Sequence, residues 1–164
     1  MSKILIELVP KTCWFTNIRS QVSTSDWDLL RKEAYKKYSH KCSICNMKGR
    51  MEAHEIWHYD DKNKIQKLFE ITSVCNQCHQ LYHLGFSSIK GNFHKSKAWL
   101  KKINGWTEEE VIEYINIVFE IWNQRSQHSW DIDLSFLDKK GISYKAISKE
   151  ERFAFLKKSF KEMK

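Results

Sequence analysis

Four of the five cysteines in this chain fall in two Cys-x-x-Cys pairs, Cys42/Cys45 in "CSIC" and Cys75/Cys78 in "CNQC". A turn with that spacing aims both thiolates at one ion, and two such turns supply the sulfur tetrahedron that zinc prefers. The alternatives are a set of buried free thiols or a thioredoxin-type redox site, although a redox site needs one pair rather than two. Cys13 has no partner at such spacing and reads as a small buried hydrophobe. Directly after Cys78 comes "HQLYH", whose His79 and His83 stand four apart on a predicted helix and therefore share a face. His54, in "EAHEIWHYDD" between the cysteine pairs, lies on a predicted hairpin that the zinc turns would hold against that helix. Three imidazoles with an open coordination position suit a catalytic divalent ion rather than a closed structural one. The competing reading is that these histidines hydrogen-bond within the core.

The elements that must position these groups follow from periodicity and punctuation. Residues 3–9, "KILIELV", read as a strand, and the irregular "PKTCWFTNIRSQV" after them as loop. Ser25 is expected to cap a helix running to about Tyr38, with Trp27, Leu30, Ala34 and Tyr38 on one face. "MEAHEIW" is expected to be a strand running into the polar loop "HYDDKNK", and "KLFEITSV" a second strand that ends at Cys75. A helix opens at Cys78 and is expected to end near Gly85 as its C-cap. "FHKSKAWLKKING" reads as a helix that stops at its Asn-Gly. "TEEEVIEYINIVFEIWNQRS" reads as a core-facing helix with a Thr107/Glu110 capping box and Val111, Ile115, Val118 and Trp122 in register. "SWDIDLSFLDKKG" is expected to be an irregular or extended connection. Ser148 and Glu151 form another capping box, before a helix with Phe153, Leu156, Phe160 and Met163 on one face.

With these elements placed, "CSIC", "EAH" and "VCNQCHQLYH" together resemble the zinc-containing HNH endonuclease domain over about residues 38–86. The pattern of that family is Cys-x-x-Cys, a His-His pair on a hairpin, and Cys-x-x-Cys-His-x-x-x-His. The flank "LVPKTCWFTNIRS" is similar to a bacterial and phage group of HNH-like proteins. The resemblance implies a ββα-metal fold in which one divalent ion, Mg²⁺, Mn²⁺, Ni²⁺ or Zn²⁺, binds the scissile phosphate while a hairpin histidine takes a proton from the attacking water. His54, His79 and His83 match the family's metal ligands. The general-base histidine is replaced by Glu55, and the asparagine that orients it by Glu70. Glu55, or His58 from the loop, is left as the candidate for water activation.

At 164 residues, with 41% hydrophobic residues, one proline and five glycines, the chain is long enough to bury a core without disulfides. The expected architecture is a single α+β domain over 1–164. An HNH-like zinc-stapled core at 38–86 is embedded in an N-terminal strand and helix (1–37), accessory helices (87–138) and a basic amphipathic C-terminal helix (139–164). No stretch approaches about 20 apolar residues, which excludes a predicted membrane span. The opening residues are too short for a signal-peptide core with its cleavage site. The expected setting is therefore the cytoplasm of a bacterial cell or phage-infected host, where thiols stay reduced.

The formal charge of +8 favours a polyanionic partner, nucleic acid and DNA first, although residues 139–164 alone hold nine Lys or Arg against three Glu, or +6. Lys62, Lys64 and Lys67 flank the candidate site as phosphate contacts would, with a merely solvated surface as the alternative. Trp57 could stack on a base, or belong to the core. The expected activity is metal-dependent hydrolysis of DNA phosphodiester bonds. The alternative is a catalytically degenerate HNH-fold zinc protein that binds nucleic acid, a nucleotide or a protein without cutting.

Overall fold

Residues 4–8 alternate as a strand should: Ile4, Ile6 and Leu8 are buried and Leu5 is 69% exposed. In the computed structural model, which describes residues 4–14 and 17–162, the segment is extended but joins no sheet. A tyrosine takes the place of a neighbouring strand. The N–H of Ile6 donates to Tyr114 Oη at 2.8 Å, and that hydroxyl donates to the Ile4 carbonyl at 3.3 Å. The expected strand at 3–9 is thus corrected to an extended segment bonded by a side chain.

The protein is mixed α and β. Helix α1 spans Thr24–Lys37, strands β1 and β2 span Glu52–Asp60 and Ile65–Val74, and helices α2 to α5 span Asn76–Tyr82, Leu84–Ile89, Phe93–Asn104 and Glu108–Arg125. Strand β3 (Asp131–Asp133), α6 (Ser135–Asp138) and α7 (Lys149–Glu162) complete the order, and the sheet runs β1-β2-β3. Two compact units divide these elements. The first takes the residues up to Leu8, Arg31–His54 and Ile71–Trp122; the second takes Val9–Leu30, Glu55–Glu70 and the chain from Asn123 onward.

In the first unit, Ile4, Ile6, Leu8, Leu81, Leu84, Leu100, Ile103, Val111, Ile115 and Val118 form one apolar cluster. Helix α5 contributes the face read from its periodicity. Its start is secured by the reciprocal bonds of a capping box, Thr107 N–H to Glu110 Oε2 at 2.8 Å and Glu110 N–H to Thr107 Oγ1 at 3.2 Å. Helix α4 stops where Gly105 adopts φ 66°, a conformation that costs glycine little.

In the second unit, Ile18, Leu30, Trp57, Leu68, Trp130 and Leu137 are buried. Trp130 donates from Nε1 to the Arg125 carbonyl at 2.9 Å, and Arg125 forks onto both Asp61 oxygens at 2.9 and 2.8 Å. Beside Trp130, Asp131–Asp133 pairs in parallel with Ile65–Lys67, so "SWDIDLSFLDKKG" contains a short strand and a helical turn where an irregular connection was expected. The capping box of α7 is present, Ser148 N–H to Glu151 Oε2 at 2.8 Å and Glu151 N–H to Ser148 Oγ at 3.1 Å. Of the apolar face expected on that helix, Phe153 is 58% exposed, while Met163 and the side chains of Leu156 and Phe160 lie outside the described residues.

Three boundaries differ from expectation. Ser23 rather than Ser25 caps α1, accepting the Asp26 N–H at 3.1 Å. Strand β1 continues through His58 to Asp60, and the turn shrinks to 61–64 because Asp60 Oδ1 accepts the N–H groups of Lys62 and Asn63 at 3.1 and 2.9 Å. Gly85 does not end a helix: α2 breaks at His83 (φ −114°, ψ 38°) and Gly85 lies inside α3.

Replacing Leu100, which is fully buried, by alanine is expected to lower the unfolding free energy measured in urea by about 2–5 kcal/mol. The same change at Ile89, which is 80% exposed, should cost less than about 0.5 kcal/mol. Equal losses would mean that α4 does not carry the core.

Candidate metal centres

The first Cys-x-x-Cys turn closes on itself. Lys41 and Lys48 form an antiparallel bridge, Cys42 N–H donates to the Met47 carbonyl at 3.0 Å, and Asn46 N–H donates to the Cys42 carbonyl at 2.9 Å. Asn46 takes φ 59°, a left-handed conformation that asparagine tolerates. The second turn is the start of a helix: Cys75 is the N-cap of α2, Cys78 lies in its first turn, and His79 N–H donates to the Cys75 carbonyl at 2.9 Å. The two turns are stitched together just before Cys75. Ser43 N–H donates to the Ser73 carbonyl at 2.8 Å, Ser73 Oγ to the Lys41 carbonyl at 3.0 Å, and Thr72 Oγ1 to Ser43 Oγ at 2.9 Å.

The result brings the sulfurs of Cys42, Cys45, Cys75 and Cys78 within 4.8 Å of one another. Cys45 and Cys75 are 3.7 Å apart. A zinc tetrahedron with Zn–S bonds near 2.3 Å has S···S edges of about 3.8 Å, so the four could hold a metal such as zinc. Cys42 is held well below the usual thiol range, first by the hydrogen bond from Cys78, with burial opposing and the N–H groups of Cys45, Cys75 and Ile44 assisting. Burial pushes Cys45 up to about 11. Cys78 is raised by the bond it gives Cys42 and then by burial, while Trp99 Nε1 donates to its sulfur at 3.3 Å. Cys13 is fully buried and pushed up to about 12, chiefly by that burial, as a core thiol should be.

One residue beyond Cys78, the helix presents His79, and His83 caps its end. With His54 from β1 these place their ligand nitrogens within 4.8 Å of one another, the convergence expected from topology. His79 Nε2 and His83 Nε2 face each other at 3.2 Å. Nitrogens bound to one ion at 2.0–2.1 Å in a tetrahedron lie about 3.4 Å apart, so the trio also fits a single cation. His54 is 8% exposed and stacks on Tyr82 with ring centroids 4.4 Å apart. Its pKa lies well below the ordinary imidazole value, through burial first and then the charges of His83 and His79. His83 sits at the exposed rim of the cluster, yet desolvation of its ring, followed by His79, pushes it down to about 4.

Behind His79 stands Glu52, two residues before His54 on β1 and hence on the same strand face. Its Oε2 meets His79 Nδ1 in a short bond, and its Oε1 accepts from Asn76 Nδ2 at 3.3 Å. Burial alone would raise the Glu52 pKa, but the bonds from His79 and Asn76, with the charges of His79 and Arg50, bring it below the usual carboxylate value. Glu52, Asn76, Tyr82 and Trp99 were not singled out from the sequence. The spacing of Glu52 to His54 carried a signal in strand alternation, whereas Trp99, 21 residues from Cys78, carried none.

The other candidate residues belong to the second unit. Glu55 points to the opposite face of β1 from its neighbour His54, and its Oε1 accepts the Ile18 N–H at 2.9 Å. His58 is exposed and stacks on Phe69 at 4.1 Å, four strand residues, or about 13 Å of chain, beyond His54. Trp57 is 7% exposed and is part of the core. Lys62 is exposed on the hairpin turn, Lys64 Nζ bonds the Asp61 carbonyl and lies 5.7 Å from the centre of a Trp130 ring, and Lys67 Nζ is 3.6 Å from Asp133 Oδ2. No helix among the described residues is long and apolar enough to cross a membrane. No family model, curated protein or solved structure matches the chain.

The depressed imidazoles make a pH prediction. Because their folded values lie below the ordinary 6.5, the unfolded chain takes up protons first as pH falls. The stability these rings contribute, with no ion on them, is therefore complete above about pH 6.5 and declines as pH falls toward 4. In an NMR titration His83 should change charge near pH 4 with His54 still neutral; both titrating near 6.5 would show that the rings are not clustered.

Proposed function

We propose that this chain is a metal-dependent nuclease of the HNH-like type, in which a zinc-filled four-cysteine cluster supports a second, reactive ion held by His54, His79 and His83. The observation that carries the reading is the convergence of the three ring nitrogens within 4.8 Å beside the second Cys-x-x-Cys turn. When bound there, a divalent ion supplies Lewis-acid polarisation of a phosphoryl oxygen and stabilises the departing one. The residues supply the rest. His54, held by stacking on Tyr82, and His79 and His83 from the end of α2 would hold the ion, and three protein ligands would leave it a coordination position for a phosphate. The chain's +8 charge and exposed Lys62 favour the approach of a nucleic-acid backbone. DNA is the substrate proposed first.

A specific observation favours a second reading, a nuclease-type fold that binds nucleic acid, a nucleotide or a protein without cutting. Glu55, at the position of the family's base, lies on the other face of β1, where its Oε1 accepts the Ile18 backbone N–H.

Protein purified without added metal is expected to carry about one zinc per chain by elemental analysis, a content that Cys75→Ser should abolish. Less than that in the wild type would overturn the cysteine site. Plasmid and single-stranded DNA incubated with Mg²⁺, Mn²⁺, Ni²⁺ or Zn²⁺ should be cut by the wild type and not by His79→Ala. If Glu55 passes the proton, Glu55→Gln should slow cleavage by about 10²- to 10⁴-fold. Retention of DNA in a binding assay with no cleavage under any of these ions would replace the first reading by the second.

A further inference from the structure

Among the groups around the histidine cluster, Glu52 has no part in the activity proposed above, yet both of its oxygens are engaged. One meets His79 Nδ1 and the other accepts from Asn76 Nδ2 at 3.3 Å. Both partners lie on α2, and each directly follows a cysteine of the second zinc turn: Asn76 follows Cys75, and His79 follows Cys78.

A neutral imidazole carries one proton on its two nitrogens, and only the bare nitrogen can bind a metal. A carboxylate is an acceptor and offers no proton. Its place at Nδ1 therefore requires the hydrogen there and leaves the lone pair on Nε2. Nε2 is the nitrogen that faces His83 Nε2 at 3.2 Å, at the centre of the trio. The same bond fixes the rotation of the ring. The amide of Asn76 fixes the carboxylate in turn, so the aim of His79 is set from the helix start that the cysteines hold.

We infer that Glu52 is a positioning residue that locks His79 in the Nδ1-protonated tautomer and so builds the second metal site. The inference rests on reading His54, His79 and His83 as ion ligands, and it adds the reason that they accept an ion in the form they do. Metal-ligating histidines held by a carboxylate typically lose about 10- to 100-fold in metal affinity when the carboxylate is removed.

The test uses full-length protein already carrying one zinc per chain, with zinc itself titrated as the probe and heat measured. Wild type should bind one further zinc. Glu52→Ala should bind it about 10- to 100-fold more weakly while retaining the first zinc and its circular dichroism. Glu52→Gln, whose amide oxygen can still accept from Nδ1–H, should lose less than Glu52→Ala. In nitrogen NMR of the ring, His79 of the wild type and of Glu52→Gln should show a protonated Nδ1 before and after zinc is added, with that preference lost in Glu52→Ala. His79→Ala supplies the baseline of the absent site. Second-zinc affinity in Glu52→Ala within twofold of wild type, or an unchanged His79 tautomer, would overturn the role of Glu52 while leaving the histidine site standing. A wild type that takes up no second zinc overturns both.

Discussion

The bond from Ser43 N–H to the Ser73 carbonyl, with the hydroxyl bonds of Thr72 and Ser73 beside it, is the constraint on which the candidate site depends. It joins a turn near residue 43 to the last residues of β2, so that two cysteine pairs separated by 30 residues of sequence meet. The helix that follows has only seven residues, too few to persist by its own hydrogen bonds. Its start is the second cysteine turn, its inner side is Leu81 in the apolar cluster, and its end is a histidine. A histidine one residue from Cys78 and another at the C-cap have little freedom left once the sulfurs are placed. A structural cluster thus does the orienting that a larger core would do in a longer protein.

The two clusters differ in how their candidate ligand atoms hold protons. Burial raises Cys45, the hydrogen bond given to Cys42 and then burial raise Cys78, and Cys42, which receives that bond, lies well below the usual thiol range. An ion bound there would displace the remaining thiol protons, and the affinity of such a site grows with pH. His54 and His83 are instead deprotonated in advance, because burial and mutual repulsion penalise the imidazolium. Their lone pairs need no proton released near neutral pH.

Much of this was legible in the residues themselves. The cysteine spacing predicted a sulfur cluster because Cys-x-x-Cys is a local geometry, and local geometry survives translation into structure. The trio of His54, His79 and His83 was legible because a short hairpin and a helix tied to the same turns leave few arrangements. What failed depended on partners far away in sequence. Residues 4–8 have the alternation of a strand, but Tyr114, more than 100 positions on, takes their backbone bonds. Asp131–Asp133 has little strand character and pairs with β2 because the buried Trp130 delivers it there. Gly85 looked like a helix end, yet Leu81 and Leu84, both fully buried, carry the chain through a break at His83 into a second helix. Glu52 is less legible in the sequence, because it acts through its bond to His79.

Whether such a site cuts turns on strand periodicity. A base must reach water beside the ion, and β1 offers side chains to that face only at alternate positions. His54 takes one of them. Glu52, two residues earlier, is already bonded to His79 and Asn76, and Ile56, two residues later, has no titratable group. Glu55 falls on the other face, where it fastens the 3-10 turn that begins at Ile18. A regular strand therefore supplies ligands to this face more readily than it supplies a base. Hydrolysis of the kind proposed would draw its proton acceptor from the substrate or solvent, and the absence of a positioned base typically costs about 10²- to 10⁴-fold. Oε1 of Glu55 is held by the Ile18 N–H on the face of β1 away from His54, so cleavage of the kind proposed would need that side chain to reach the other face or a proton acceptor from elsewhere.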